Sequence, residues 1–306
     1  METIFCHKKQ DAALNKTPHA VEISVIIVNY NTSELLCRCL DSIARQTGVS
    51  SETIVVDNAS SDDSRVMIRK NFPWVKLIPN ENNQGFARAN NQALDLYTGQ
   101  YVFFLNPDTE VKPGAFRQMI RFMQAHARVG LAGTRLLYPD GSPQSSVERH
   151  YPGQKHLKGA FDSLAGDIAW VLGASMIVRQ EIIQALNGFD DEFFLYAEDI
   201  DLCLRVRKAG WTVGFISEAV VVHWCGQSER KTPPLHVWEK KFDAEIKFYR
   251  KHYPAAAVRA IGRDNVLQAC WRILTLKLEL MVAGDKEIAR RKLEKYQLAL
   301  KTFRAL

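Results

Sequence analysis

"VFFLNPDTE", residues 102–110, passes from apolar to acidic within a few positions. Val102 to Leu105 read as a strand buried on both faces. Asn106-Pro107-Asp108 then turns the chain and leaves a carboxylate at a proline-fixed corner. Such a carboxylate is either an ordinary turn residue or part of a ligand site at the edge of a sheet, and the preceding segments decide between the two. "EISVIIVNYN" (22–31) and "TIVVDNAS" (53–60) repeat the design of an apolar run closing on polar side chains, and "VKLIP" (75–79) reads as a third strand. Helical spacing separates these runs over 34–46, which Ser33 can cap, over 62–71, and over 85–99, which stops at Gly99. Strands alternating with helices build an α/β fold with a parallel, helix-covered sheet. Ligands bind such sheets outside the C-terminal strand ends. Three ends carry suitable side chains: Asn29-Tyr30-Asn31, Asp57-Asn58 and Asn106-Pro107-Asp108. Three polar ends on one edge point to a ligand site.

The chain has 306 residues, 46% of them hydrophobic and 24% charged, which is enough for a sizeable core. No apolar run reaches the ~20 residues that spanning a bilayer needs. Residues 1–21 lack the apolar centre of a secretory signal and read as a flexible tail. Six cysteines (Cys6, Cys37, Cys39, Cys203, Cys225 and Cys270) without a CxxC pair fit reduced thiols in a cytoplasmic protein. Residues 229–306 hold 18 Lys+Arg against 9 Asp+Glu, so the whole positive excess lies there and points to an anionic partner or a solvated helical face.

Neither a glycine-rich dinucleotide turn nor a P-loop follows the first strand, where the sequence reads "NYNTSE". A bound diphosphate would therefore need another source of positive charge, and a divalent cation held by Asp108 supplies it. Past residue 129 the pattern reads as a strand, a turn at Pro139-Asp140-Gly141 and a return, then an irregular, mobile loop over 150–167. A strand and short helix follow over 170–186. From Glu198 the spacing is helical, with Leu202, Val206 and Ala209 inward and Arg205, Arg207 and Lys208 outward. Glu198-Asp199 thus occupies a first helical turn, where the dipole favours negative charge. The aromatic run "FFLYAED" delivers the pair half desolvated, suited to accept a proton, while Asp201 reads as a capping or solvated residue.

At these residues the sequence resembles the glycosyltransferase family 2 enzymes, inverting transferases with the GT-A nucleotide-diphospho-sugar transferase fold, and within them the rhamnosyltransferase-like branch of bacterial surface-polysaccharide synthesis. The matching pieces are "SVIIVNYNTSELLCRCLDSI", "IVVDNASSDDS", "NNQGFARANNQAL", "YVFFLNPDTEV", "GASMIVRQEIIQALNGFDDEFFLYAEDIDLCLRVRKAGW" and "VVHWCGQS", in family order over about 22–228. The resemblance implies a catalytic domain over 22–228 with a basic helical region over 229–306. It implies that Val28, Tyr30 and Asp57 hold the nucleotide base and ribose, and that Gly85 and Arg88 lie along the nucleotide-sugar cleft. Asn106-Pro107-Asp108 stands at the family's Asp-x-Asp metal motif, with Asn106 replacing its first acid. Asp108 and His223 then hold Mg²⁺ or Mn²⁺, and Asp199, beside Glu198, is the catalytic base. The implied reaction moves a sugar from a nucleoside-diphosphate donor, dTDP-L-rhamnose ahead of a UDP-sugar, to a hydroxyl of a glycan or polyprenyl-diphosphate-linked acceptor. A metal stabilises the leaving diphosphate and a base takes the hydroxyl proton in one inverting displacement.

The last segments, 232–254, 258–282 and 285–304, read as helices. The first aligns Val237, Trp238, Phe242, Ile246 and Tyr249 on one face, and the last is basic and amphipathic. An anionic membrane on the inner face of the cell membrane, a second subunit of a homo-oligomer, and the catalytic domain are the surfaces such helices suit. The rival of another class, a non-catalytic nucleotide-sugar-binding scaffold, is opposed by the intact Asp57, Asp108, Asp199 and His223. No nucleic-acid motif accompanies the basic helices.

Overall fold

A computed structural model describes residues 21–157, 159, 161–225, 233–282 and 286–306. Residues 1–20 of the expected tail and the Gly226-Gln227-Ser228 end of the last motif lie outside the described residues.

The chain opens with β1 (Ile23–Asn29), α1 (Ser33–Ala44), β2 (Ser51–Asp57), α2 (Ser64–Asn71), β3 (Lys76–Pro79), α3 (Phe86–Ala93) and β4 (Tyr101–Leu105). It continues with β5 (Thr109–Val111), α4 (Ala115–Ala125), β6 (Val129–Leu137), β7 (Pro143–Gln144), β8 (Val147–Glu148) and β9 (Trp170–Val171). Then come β10 (Ser175–Arg179), α5 (Gln180–Ala185), α6 (Glu198–Lys208), β11 (Thr212–His223), α7 (Pro234–His252), α8 (Ala255–Val282) and α9 (Lys286–Phe303). The main sheet runs β3-β2-β1-β4-β10-β6-β11-β5, with β7 on β6, and β8 pairs β9 separately. β3, β2, β1 and β4 are parallel, as the alternating strand and helix pattern requires. β10 enters antiparallel between β4 and β6. All residues of β1, β4 and β10 are buried, so their unbroken apolar runs are those of two-face-covered strands.

Several local expectations change. The cap position of α1 is Thr32, whose hydroxyl donates to Asn29 at 2.7 Å, and Ser33 is the first helical residue, its backbone amide donating to Asp62 at 2.9 Å. Arg207 does not face outward: it is buried and donates to the carbonyls of Leu164, Ala165 and Gly166, while Ala209 is exposed beyond the helix end. The 150–167 segment is irregular, as expected, but this clamp and the buried Tyr151, Leu157 and Phe161 anchor it instead of leaving it loose.

These three side chains belong to an apolar cluster that also takes Phe193, Ala197, Ile200 and Leu204 from around α6 and Phe242, Ile246, Phe248, Tyr249 and Phe303 from the C-terminal helices. The helices therefore pack on the sheet-bearing part of the chain. Among the described residues no helix is long and apolar enough to cross a membrane.

Asp201 is the polar centre of that junction, not a solvated cap residue. It is fully buried, with Arg205 Nε at 2.7 Å, Lys251 Nζ at 2.6 Å and His252 Nε2 at 2.7 Å. Burial alone would raise its carboxyl, but His252, Arg205 and Lys251 outweigh that and hold it at about 2. Removing one member of a buried ionic group leaves the others uncompensated, at a cost of about 3–5 kcal/mol. Asp201→Ala should lose stability on that scale in urea unfolding. The wild-type contribution should be present at neutral pH and fade only as pH falls through the ordinary carboxylate range toward about 2.

Candidate active site

Two buried carboxylate centres form the site, and one turn of chain joins them. The first lies at the end of β4. β5 pairs antiparallel with the end of β11, setting His223 opposite Thr109. This register, with the Trp224 amide donating to the Asp108 carbonyl at 3.0 Å, brings His223 Nε2 to 3.4 Å from Asp108 Oδ1. Both residues are 3% exposed. His223 Nδ1 lies 3.1 Å from Gln144 Oε1, so Nδ1–H donates, and Nε2 is buried without a hydrogen-bond partner among the described residues. An imidazole nitrogen facing a carboxylate, oriented through its other nitrogen, fits a divalent metal ligand. Among the described residues no third His, Cys, Asp or Glu joins them, so a cation here would need substrate oxygens or water to complete its shell.

The second centre is the first turn of α6. Tyr196 and Ala197 take φ values of 73° and 63°, which non-glycine residues adopt at roughly 1–3 kcal/mol each. This sharp turn delivers Glu198 and Asp199 directly from the aromatic segment into the interior, where they are 6% and 8% exposed. Asp199 Oδ1 accepts the Ile200 amide and Oδ2 the Gly173 amide, both at 2.8 Å. Glu198 Oε2 has no partner. Burial, then the charge of Asp199, pushes the Glu198 carboxyl up to about 8. Burial also raises Asp199, although its two amide hydrogen bonds oppose the rise. Glu198 therefore keeps its proton at neutral pH, and the two amide donors favour Asp199 over Glu198 as the ionised member of the pair.

Gly173, which the sequence reading passed over, connects the two centres. Its amide holds Asp199, and the next residue, Ala174, accepts the Asn106 amide at 2.9 Å. A Cβ on Gly173 would lie 3.1 Å from Asp199 Cβ, so the close approach calls for glycine. The only signal available in sequence was a glycine just before a buried strand.

The remaining expected residues fall in three places. Asp57 is buried at the end of β2, its Oδ1 accepting Asn29 and its Oδ2 accepting Arg65 and the Ser60 amide. Burial raises its carboxyl, but these donors outweigh it and hold the group below the ordinary range. Val28 is buried beside it in β1, and Tyr30 is 37% exposed at that strand end. Gly85, at φ 81°, begins α3 where a Cβ would meet the Phe194 carbonyl at 2.6 Å, and the Phe86 amide donates to that carbonyl. The glycine thus seats α3 on the segment that feeds the acid pair. Arg88 stands apart: it lies 3.6 Å from Asp191 and lines a cleft of about 680 Å³ with Gln84, Asn91, Tyr97 and Gln184, which includes none of Asp57, Asp108, Asp199 or His223.

The raised Glu198 carboxyl sets a pH prediction. Between the ordinary 4.5 and about 8 the folded chain keeps a proton that the unfolded chain releases, so this group's contribution to stability falls as pH rises through that window. Glu198→Gln should flatten the decline in urea midpoint between pH 5 and 8 (roughly the window set by linkage), and an unchanged slope would show that Glu198 ionises normally.

The family model for "Glycosyl transferase family 2" matches residues 24–186. The chain is 25% identical over 248 residues to an N-acetylglucosaminyl-diphospho-decaprenol L-rhamnosyltransferase of Mycobacterium tuberculosis, covering 70% of this chain and 80% of that protein. It is 24% identical over 232 residues to the O-antigen chain rhamnosyltransferase RfbN of Salmonella typhimurium, covering 74% and 72%. Among solved structures, the mannosyltransferase PcManGT of Pyrobaculum calidifontis, in complex with GDP-Man and Mn²⁺, superposes with a TM-score of 0.61 at 17% identity over 94% of this chain and 90% of that one. TarS residues 1–349 of S. aureus, in complex with UDP-GlcNAc, gives 0.54 at 16% identity over 93% and 92%. With this match over more than half its length, and with the GT-A fold, the chain belongs to glycosyl transferase family 2 and is a rhamnosyltransferase-like glycosyltransferase.

Proposed function

We propose that the chain transfers L-rhamnose from a nucleoside-diphosphate donor, dTDP-L-rhamnose in preference to a UDP-sugar, to a hydroxyl of a glycan or polyprenyl-diphosphate-linked acceptor, with inversion. The observation that carries the reading is the single hydrogen-bonded link, through Gly173 and Ala174, between a buried acid pair and the Asp108–His223 pair. The names of the mycobacterial and Salmonella relatives support rhamnose, and the mycobacterial one supports a lipid-diphosphate acceptor.

Asp199 takes the acceptor hydroxyl proton as that oxygen attacks the anomeric carbon, and the Gly173 and Ile200 amides keep its carboxylate oriented. Glu198, protonated, keeps a second negative charge away from the incoming oxygen. Asp108 and His223 would hold Mg²⁺ or Mn²⁺, which when bound neutralises charge on the departing diphosphate. Val28, Tyr30 and Asp57 line the base and ribose end, with Asn106 beside the metal pair, while Gly85 supports the segment that feeds the acid pair and Arg88, in its separate cleft, takes no part in this arrangement. A non-catalytic scaffold would have no use for a buried, unpaired Glu198 beside Asp199.

The enzyme would work in the cytoplasm on the inner face of the cell membrane. α9 buries Ala289, Ala299 and Phe303, so its own apolar face is not the attachment surface expected from sequence. The exposed stripe is instead on α8: Leu267, Trp271, Leu274, Leu278 and Met281, at helical spacing on one face. Exposed Lys277 flanks it, and exposed Lys286, Arg290, Arg291 and Lys292 follow on α9. An apolar stripe beside this basic cluster suits an anionic bilayer.

Calorimetric titration with dTDP, UDP and GDP, each with and without Mn²⁺, tests the donor site. Metal-dependent binding of dTDP is expected, and binding of no nucleotide would refute the reading. Asp199→Asn should cut turnover by roughly 10²–10⁴-fold, the usual contribution of general-base catalysis, with nucleotide binding intact. Trp271→Glu/Leu278→Glu should lower co-sedimentation with phosphatidylglycerol vesicles at least about tenfold through lost apolar burial, and unchanged sedimentation would remove α8 as the attachment surface.

A further inference from the structure

The C-terminal helices also place charge near the site. Lys241, on α7, has its Nζ 4.9 Å from the ring centroid of Tyr196 and 5.1 Å from that of Trp238. Tyr196 is two residues before Glu198, so Lys241 stands beside the turn that feeds the acid pair. It is near the metal-side pair as well: its charge reaches the Cys225 thiol, which also feels Asp108. Lys241 thus lies in the neighbourhood of both centres.

Among the described residues no carboxylate lies within ion-pairing distance of Lys241. The acid one turn along α7, Glu245, feels the charges of Lys295 and Lys241, but burial outweighs them and raises its carboxyl. A second ammonium, Lys295 of α9, sits 3.5 Å from the Trp238 centroid, so two cations share one ring. A cation–π contact at such a site is weak, less than a phosphate would contribute by meeting the ammonium in a charge-assisted hydrogen bond. Gathering like charges beside an acid pair that keeps a proton makes local sense when an anion arrives between them.

We propose that Lys241, seated between Tyr196 and Trp238 with Lys295 behind, is a binding residue for a substrate diphosphate, contributed beside the site by the C-terminal helical region. The inference rests on the glycosyl-transfer reading and adds a residue that none of its motifs contains. The recognised chemistry is a diphosphate monoanion or dianion. It could belong to the nucleotide of the donor or to an isoprenyl diphosphate of the acceptor, and each has its own probe.

The experiment is calorimetry on the full chain and its Lys241→Met, Lys241→Arg and Lys247→Met variants, with matched thermal unfolding. One probe is dTDP with Mn²⁺, and the other is geranyl diphosphate without nucleotide. Lys241→Met should weaken one probe about 10- to 100-fold, the loss of one charged hydrogen bond. Lys241→Arg should recover most of that loss, and Lys247→Met, whose lysine pairs with Asp243, should stay within about twofold, since an exposed pair contributes little. Loss confined to geranyl diphosphate assigns the acceptor, and loss confined to dTDP assigns the donor. If Lys241→Met binds both probes normally, or Lys247→Met loses as much, the proposal falls while the glycosyl-transfer reading stands. If the wild-type chain binds neither probe, both fall.

Discussion

The amide of Gly173 hydrogen-bonded to Asp199 is the contact on which the geometry of the site depends. Asp199 comes from the first turn of α6, late in the sheet-bearing part of the chain, whereas Asn106 and Asp108 follow β4, ninety residues earlier by number. β10 lies antiparallel to β4, with Ser175 opposite Leu105, so the turn just before β10 falls against the end of β4. Gly173 and Ala174 occupy that turn and reach Asp199 on one side and Asn106 on the other. Lacking a Cβ, Gly173 lets the carboxylate approach closely enough for its amide to donate.

The acid pair is buried in the first turn of α6, and its electrostatics follow from that. α6 carries three carboxylates in its first turn, yet they diverge: Asp201 is held at about 2, while Glu198 is pushed to about 8. Burial acts on all three in the same direction. Asp201 differs because Lys251 and His252 of α7 and Arg205 of its own helix surround it. The C-terminal helices therefore anchor one acid of α6, while burial and the charge of Asp199 raise another. In this arrangement the C-terminal helices set the charge of Asp201 as well as the packing around α6.

How much of this was legible in the chain varies with the kind of feature. Strands β1, β2 and β4 announced themselves because strands covered on both faces are continuously apolar, and their polar ends marked where the runs stop. The acid pair was legible because an aromatic run led straight into it. Arg207 was misread because helical spacing assigns faces relative to one partner, while α6 is covered on nearly every side and turns this arginine onto backbone carbonyls of the 150–167 segment. Which C-terminal helix keeps an exposed apolar stripe was not legible, because periodicity cannot say which of two amphipathic helices is covered once they pair.

The sequence by itself determined the fold class, the strand-end residues and the ordered motifs of the family, because these depend on local apolar periodicity and on residues close in the chain. Only the tertiary structure decided that Gly173 joins the two centres, that His223 turns Nε2 toward Asp108, and that burial and its neighbours drive Asp201 and Glu198 in opposite directions. Each of these depends on which distant backbone amide, cation or apolar wall arrives beside a given side chain. Strand register and helix packing set that proximity, and no spacing within a single segment encodes it.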